Sequence, residues 1–233
     1  MILSIETGGD ICSVALSEKD ELISLRESDI GRNQAQNVAV FINEIFRENH
    51  INGDDLSAVA ISKGPGSYTG LRIGVSVAKG LCYGANKPLI AIGSLDILTA
   101  SAIEDFEAGI LGIETLDDSI LCPMIDARRM EVYEQLFSPC GEAISQVKPH
   151  IITENSFLEY KNQKQFIIFG SGADKCSDTL KVKGLTLVNV AQSARGMVKK
   201  AYEKYTLGLF EDIAYFEPLY LKEFVAGMPK KLL

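Results

Sequence analysis

The chain has 233 residues, 46% of them hydrophobic, and a formal net charge of −8. That length and apolar content bury a real core in one large domain or two smaller ones, which excludes a disordered or fibrous protein. No apolar run reaches the roughly 20 residues of a membrane span, the start "MILSIETGGD" reads as a strand and not a signal peptide, and the acidic balance opposes direct nucleic-acid binding; a cytoplasmic location is expected, with any nucleic acid met through a partner.

In chain order, "ILSIE", "ICSVALS" and "ELISLRES" read as three hairpin-connected strands. An amphipathic helix over Asn33 to Asn49 follows, with Val38, Phe41, Ile42, Ile45 and Phe46 on one face. "LSAVAIS" is a strand, "GPGS" a turn, "GLRIGVSVAKGLCYG" a helix with Thr69 as a candidate cap, "LIAI" a strand, and "SLDILTASAIEDF" a helix capped by Ser94. The second half repeats the order: strands "SILCPMI", "EVYEQLF" and "ISQVKPHII", a helix near "ENSFLEYKN", strand "QFIIF", helix "ADKCSDTLK", strand "LTLVNV" and a long helix from "SARGMV" to "YTLGL". Two βββαβαβα halves, 1–108 and 109–233, predict an α/β protein with the duplicated ribonuclease H-like architecture of the actin, Hsp70 and sugar-kinase (ASKHA) group, which binds ATP between its halves.

That architecture places an acidic residue at the end of the first strand of each half, here Glu6 and Asp126. The turn after Glu6 holds Gly8 and Gly9, which bring backbone amides near an anion, while Ala127, Arg128 and Arg129 follow Asp126 where glycine would be wanted. Gly170 and Gly172, between a strand and a helix, are a further nucleotide candidate and equally an ordinary turn. An active ATPase or kinase therefore stands as one reading, against hairpin turns with solvated charges. The stretch "SKGPGSYTGLRIG" fits neither the Walker A nor the GxGxxG spacing, and Ser67 is not the centre of a GxSxG elbow. His50 and His150 form no metal-ligand spacing, a serine triad with partners distant in the chain stays open, and the five scattered cysteines read as free thiols.

The helix after the glycine turn carries one narrow polar stripe, Arg72, Ser76, Lys79 and Tyr83. The rest is apolar or small, with Gly70, Gly74 and Ala78 spaced by four, as are Gly80 and Gly84. Such a helix needs cover on more than one side, supplied either by the preceding helix or by another protein.

"KGPGSYTGLRIGVSVAKGL", "IDARRMEVY" and "PLYLKEF" resemble motifs of the bacterial TsaB (YeaZ) family, and the resemblance covers essentially the whole chain. It implies a noncatalytic subunit, similar in fold to the threonylcarbamoyltransferase TsaD, that supports formation of N6-threonylcarbamoyladenosine beside the tRNA anticodon. It further implies pairing with TsaD through the first two helices, a small ATPase, TsaE, as third partner, a homodimer through the same surface when alone, and only indirect contact with tRNA. No cofactor is required by the chain itself, with ATP or ADP at the assembled complex. On this sequence the pairing surface takes in Gln36 and Val40 of the first helix and Gly70, Arg72, Ile73, Gly74, Val77, Ala78 and Gly80 of the second. Two positions depart from the family: Glu6 stands where Asp is frequent, and "GRNQAQN" lacks the usual His-Ser pair.

Overall fold

The computed structural model describes residues 1–28, 34–160 and 162–222, and leaves the side chains of residues 34–36 undescribed. Strands β1 (Ile2–Glu6), β2 (Cys12–Glu18) and β3 (Glu21–Ser28) are followed by helix α1 (Gln34–Glu48), β4 (Ala58–Ser62), α2 (Tyr68–Ala85), β5 (Leu89–Ile92) and α3 (Ser94–Glu107). The second half holds β6 (Ser119–Asp126), β7 (Glu131–Glu134), β8 (Lys148–Ile151), β9 (Gln165–Phe169), α4 (Asp174–Ser177), β10 (Leu185–Val188) and α5 (Val198–Thr206). The sheets run β3-β2-β1-β4-β5 and β10-β9-β6-β7-β8. Each therefore has its first strand in the middle, antiparallel to the second and parallel to the fourth, with Ile5 opposite Val14 and Ile61, and Met124 opposite Glu134. This is the duplicated ribonuclease H-like fold.

Strand alternation decides what covers each face. In the first sheet Leu3, Ile5, Val59 and Ile61 point toward Val38, Ile42 and Ile45 of α1 and Val75, Ala78 and Cys82 of α2. The opposite face is lined by Ile2, Ala15, Ala58, Ala60 and Ile90, and its small side chains admit Ala194, Met197 and Ala201 from α5 and the 3-10 turn before it. The second sheet turns Leu121, Ile125, Ile167 and Phe169 toward Leu95, Leu98 and Ala102 of α3. Each half thus covers a face of the other's sheet with its last helix. Arg195 bonded to Glu104 and Asp105, and Lys200 bonded to Asp96, fasten the two crossing segments. Gly196 sits so close that a Cβ there would lie 2.4 Å from the Ile97 carbonyl.

Helices of the second half are shorter than the sequence pattern suggests. The segment near "ENSFLEYKN" makes only a 3-10 turn, Leu158–Tyr160, because Phe157 and Tyr160 anchor it into the core three residues apart. "ADKCSDTLK" is helical over four residues, after which Leu180 and Val182 alternate into the core. Isolated segments this short have little helical stability of their own. Capping also differs from expectation: Ser67, and not Thr69, caps α2 by accepting the Gly70 amide at 3.2 Å, and the cap position of α3 is Gly93, with the Ser94 hydroxyl buried inside the first turn.

Candidate functional site

The turn after β1, the start of α2 and the turn after β6 converge on a cleft of about 870 Å³ between the halves. Its first wall is built by close backbone approach. The Ser67 amide donates to the Gly8 carbonyl at 2.8 Å, the Thr7 hydroxyl donates to the Gly70 carbonyl at 2.8 Å, and a Cβ on Gly66 would lie 2.5 Å from the Gly8 oxygen. A Cβ on Gly74 would lie 2.2 Å from the Thr7 hydroxyl. The glycines of "SKGPGSYTGLRIG" thus serve the chain's own packing of α2 onto β1.

Glu6 is fully buried beneath this turn. Its Oε1 accepts the Gly8 amide and the Ser62 hydroxyl, the latter at 3.1 Å, and the Gly9 backbone also bonds to the carboxyl. Burial raises its pKa, against smaller opposing effects of Gln192, these amides and Ser62. Gln192 lies close enough to favour the charged form without hydrogen-bond geometry, since its Nε2 and Glu6 Oε2 are both buried without a partner. The amides that would cradle a phosphate are consumed by Glu6, and the carboxyl faces inward.

Asp126 projects into the cleft but is already neutralised. Partial burial disfavours its charge, yet the Lys175 ammonium, the Arg128 amide at 2.7 Å and the positive charges of both residues hold its carboxyl below the ordinary range. A metal ion would have to displace Lys175. Among the described residues no group of three His, Cys, Asp or Glu side chains is placed to hold one. Gly170 and Gly172 are packed against β6 and β7: a Cβ on the first would lie 2.7 Å from the Met124 carbonyl of β6, and one on the second 2.8 Å from Val132 of β7 and 3.1 Å from the Asp126 nitrogen. The donor set does not fit a magnesium nucleotide held as the fold's ATP-binding members are expected to hold it.

On the outer side, α1 and α2 share a surface. Gly70, Gly74 and Ala78 are buried inside the chain and do not reach it, because the small-residue stripe is the face pressed onto β1 and β4. Val40, Arg72 and Gly80 are exposed and Ile73 and Val77 half-buried there, while the Gln36 side chain lies outside the described residues. The cover for the other flank of α2 comes from the chain itself. Residues 211–222 form a strap in which the Glu211 amide bonds to Leu89, Lys79 to the Ala214 carbonyl and the Leu219 amide to Lys63. Ile213 and Phe216 pack against the α1/α2 core, and Tyr220 stacks on Tyr68 at 4.9 Å beside Arg72.

The TsaD family model, tRNA N6-adenosine threonylcarbamoyltransferase, matches residues 28–215. The chain belongs to this family, on its TsaB/YeaZ branch. The tRNA threonylcarbamoyladenosine biosynthesis protein TsaB of Escherichia coli is 27% identical over 235 residues, 97% of this chain and 96% of that protein. The Bacillus subtilis TsaB is 31% identical over 148 residues, 64% of this chain but only 59% of that protein, under two thirds of its length. In structure, YeaZ from Pseudomonas aeruginosa shares the fold with a TM-score of 0.78 at 20% identity, over 94% of this chain and 99% of that one.

Two features of this TsaB/YeaZ-branch chain escaped sequence reading. The strap carries no periodic pattern, and only the motif "PLYLKEF", of which 218–222 are described, marked its end. The second is a Ser156–His150–Glu134 chain, with Ser156 Oγ 3.1 Å from His150 Nε2 and His150 Nδ1 3.2 Å from Glu134 Oε1. It has the connectivity of a hydrolytic triad. Ser156 is nevertheless only 7% exposed, its oxygen accepts the Thr153 amide, and it lines neither the main cleft nor the smaller one beside Gly170. Its role is to tie β7 and β8 to the following turn. Among the described residues no helix is long and apolar enough to cross a membrane.

Proposed function

We propose that the chain serves tRNA threonylcarbamoyladenosine formation as a noncatalytic partner of the TsaD transferase, docking through the α1/α2 surface. Family membership supports the pathway, and the names of the E. coli and B. subtilis relatives carry the same assignment for those proteins. The observation that carries the noncatalytic part is the cleft, where Glu6 is buried and occupied by its own turn and Asp126 is paired with Lys175. Docking is supported by Val40 of α1, 49% exposed, and by half-buried Ile73 and Val77 of α2, the latter two flanked along their helix by Arg72 and Ser76. The same surface serves a homodimer of the chain alone, and a TsaE-type ATPase and any bound ATP or ADP belong to the assembled complex.

Reconstituted tRNA modification tests the role: omission of this chain abolishes turnover, and an unchanged rate would refute it. For the surface, Val40→Glu, at an exposed position, is expected to weaken capture of the transferase on the order of 30-fold while leaving thermal unfolding near wild type, whereas Val77 also packs on the chain's own core. Ala78→Glu is not an equivalent probe, because Ala78 is 0% exposed and a charge there unfolds the chain.

A further inference from the structure

The turn after β6 holds two consecutive arginines, Arg128 and Arg129, with φ of 71° and 53°. L-residues disfavour that left-handed region, and neither arginine is of the Asn or Asp type that tolerates it best. Both side chains are exposed and line the cleft. The carboxylates at either end of that turn are matched, Asp126 with Lys175 and Glu131 with Lys222. Arg128 lends its charge to Asp126 through space, yet neither it nor Arg129 forms an ion pair or side-chain hydrogen bond among the described residues, so a chain of net charge −8 presents two guanidinium groups with unused donors at one place. Tyr133 and Tyr220 line the same cleft, and Tyr220 is 37% exposed.

The chemistry that fits is narrower than "anion". A nucleoside triphosphate brings a cluster of charges with a magnesium ion and asks for free amides and a free carboxylate. Here the Gly8 amide is taken by Glu6 and Asp126 by Lys175. A phosphodiester carries one charge and no metal, and it suits the planar fork of an arginine. An unpaired RNA strand offers such phosphates in series together with bases that stack on tyrosine rings. We infer that Arg128 and Arg129, with Tyr133 and Tyr220 beside them, form a direct contact for the phosphate backbone of an unpaired RNA strand. This rests on the tRNA-modification reading for its substrate class, and it departs from the expectation that RNA is met only through partners.

The test uses the full chain in complex with its transferase partner, a fluorescently labelled RNA hairpin with an unpaired loop, and anisotropy across a salt series. The R128Q/R129Q variant is expected to bind the hairpin roughly 10- to 100-fold more weakly at low salt, with the slope of log K against log salt shallower by about 1.4, two single-strand contacts at about 0.7 each. R128K/R129K keeps the charges and is expected to keep the slope, which also controls for folding should the glutamine variant melt early. Equal affinity and slope in both variants overturn the inference. So does a glutamine variant that no longer binds the transferase, which makes the arginines a protein contact, or one that loses binding of magnesium ATP with RNA binding unchanged. Failure of the functional reading appears separately, as modification that proceeds without the chain.

Discussion

Gly74 offers the sharpest test of how α2 is seated. A methyl group added there would meet the Thr7 hydroxyl at 2.2 Å and the Ile61 Cδ1 at 2.9 Å, buried side chains of the residue that follows β1 and of β4. Gly74→Ala gains about 1 kcal/mol of helix propensity. Against that stand about 1–3 kcal/mol of overpacking and about 1 kcal/mol for the Thr7 to Gly70 hydrogen bond, which the displaced hydroxyl loses. The net is a loss of about 1–3 kcal/mol. At Gly80, six residues along the same helix, an added methyl would find nothing within 4 Å, so Gly80→Ala keeps the propensity gain of up to about 1 kcal/mol. Urea unfolding of both variants against wild type gives the comparison directly, with the midpoint expected to fall for Gly74→Ala and rise for Gly80→Ala. If both substitutions raise the midpoint, α2 is not pressed onto β1 as described.

Glu6→Gln keeps the shape of the buried carboxyl and removes its charge. Because burial raises the pKa of Glu6, its contribution is full below the unfolded value near 4.5 and is lost as pH rises through the folded one; the variant should gain stability over wild type at neutral pH and match it near pH 4, read from urea midpoints at both. Asp126 has the opposite sign: its lowered pKa stabilises the fold above about 3.8 and is lost in acid, so Lys175→Met should unfold more easily at pH 6 and resemble wild type below pH 3. Phe216→Ala, in the half-buried strap, should cost about 2 kcal/mol in the same assay, roughly half the loss for a fully buried phenylalanine, and no loss at all would mean that the strap does not pack on α1 and α2.

The sequence by itself determined the strands, the three helices of the first half and the duplicated order, because period 2 and period 3.6 are local properties that a single chain displays. β1, β3 and β5 lie where "ILSIE", "ELISLRES" and "LIAI" stand. It also showed that α2 needs cover on several sides. Which side is covered by what was decided only in three dimensions. The stripe Gly70, Gly74 and Ala78 has the same spacing whether it meets a partner or β1, and it is Thr7, more than sixty residues away in the chain, that claims it. The strap at 211–222 holds α2 through contacts over 130 residues distant, and Glu6 turns inward because Gly8 and Ser62 offer it hydrogen bonds there. Periodicity fixes which residues share a face; the identity of the neighbour on that face comes from long-range packing, which leaves no local mark in the sequence.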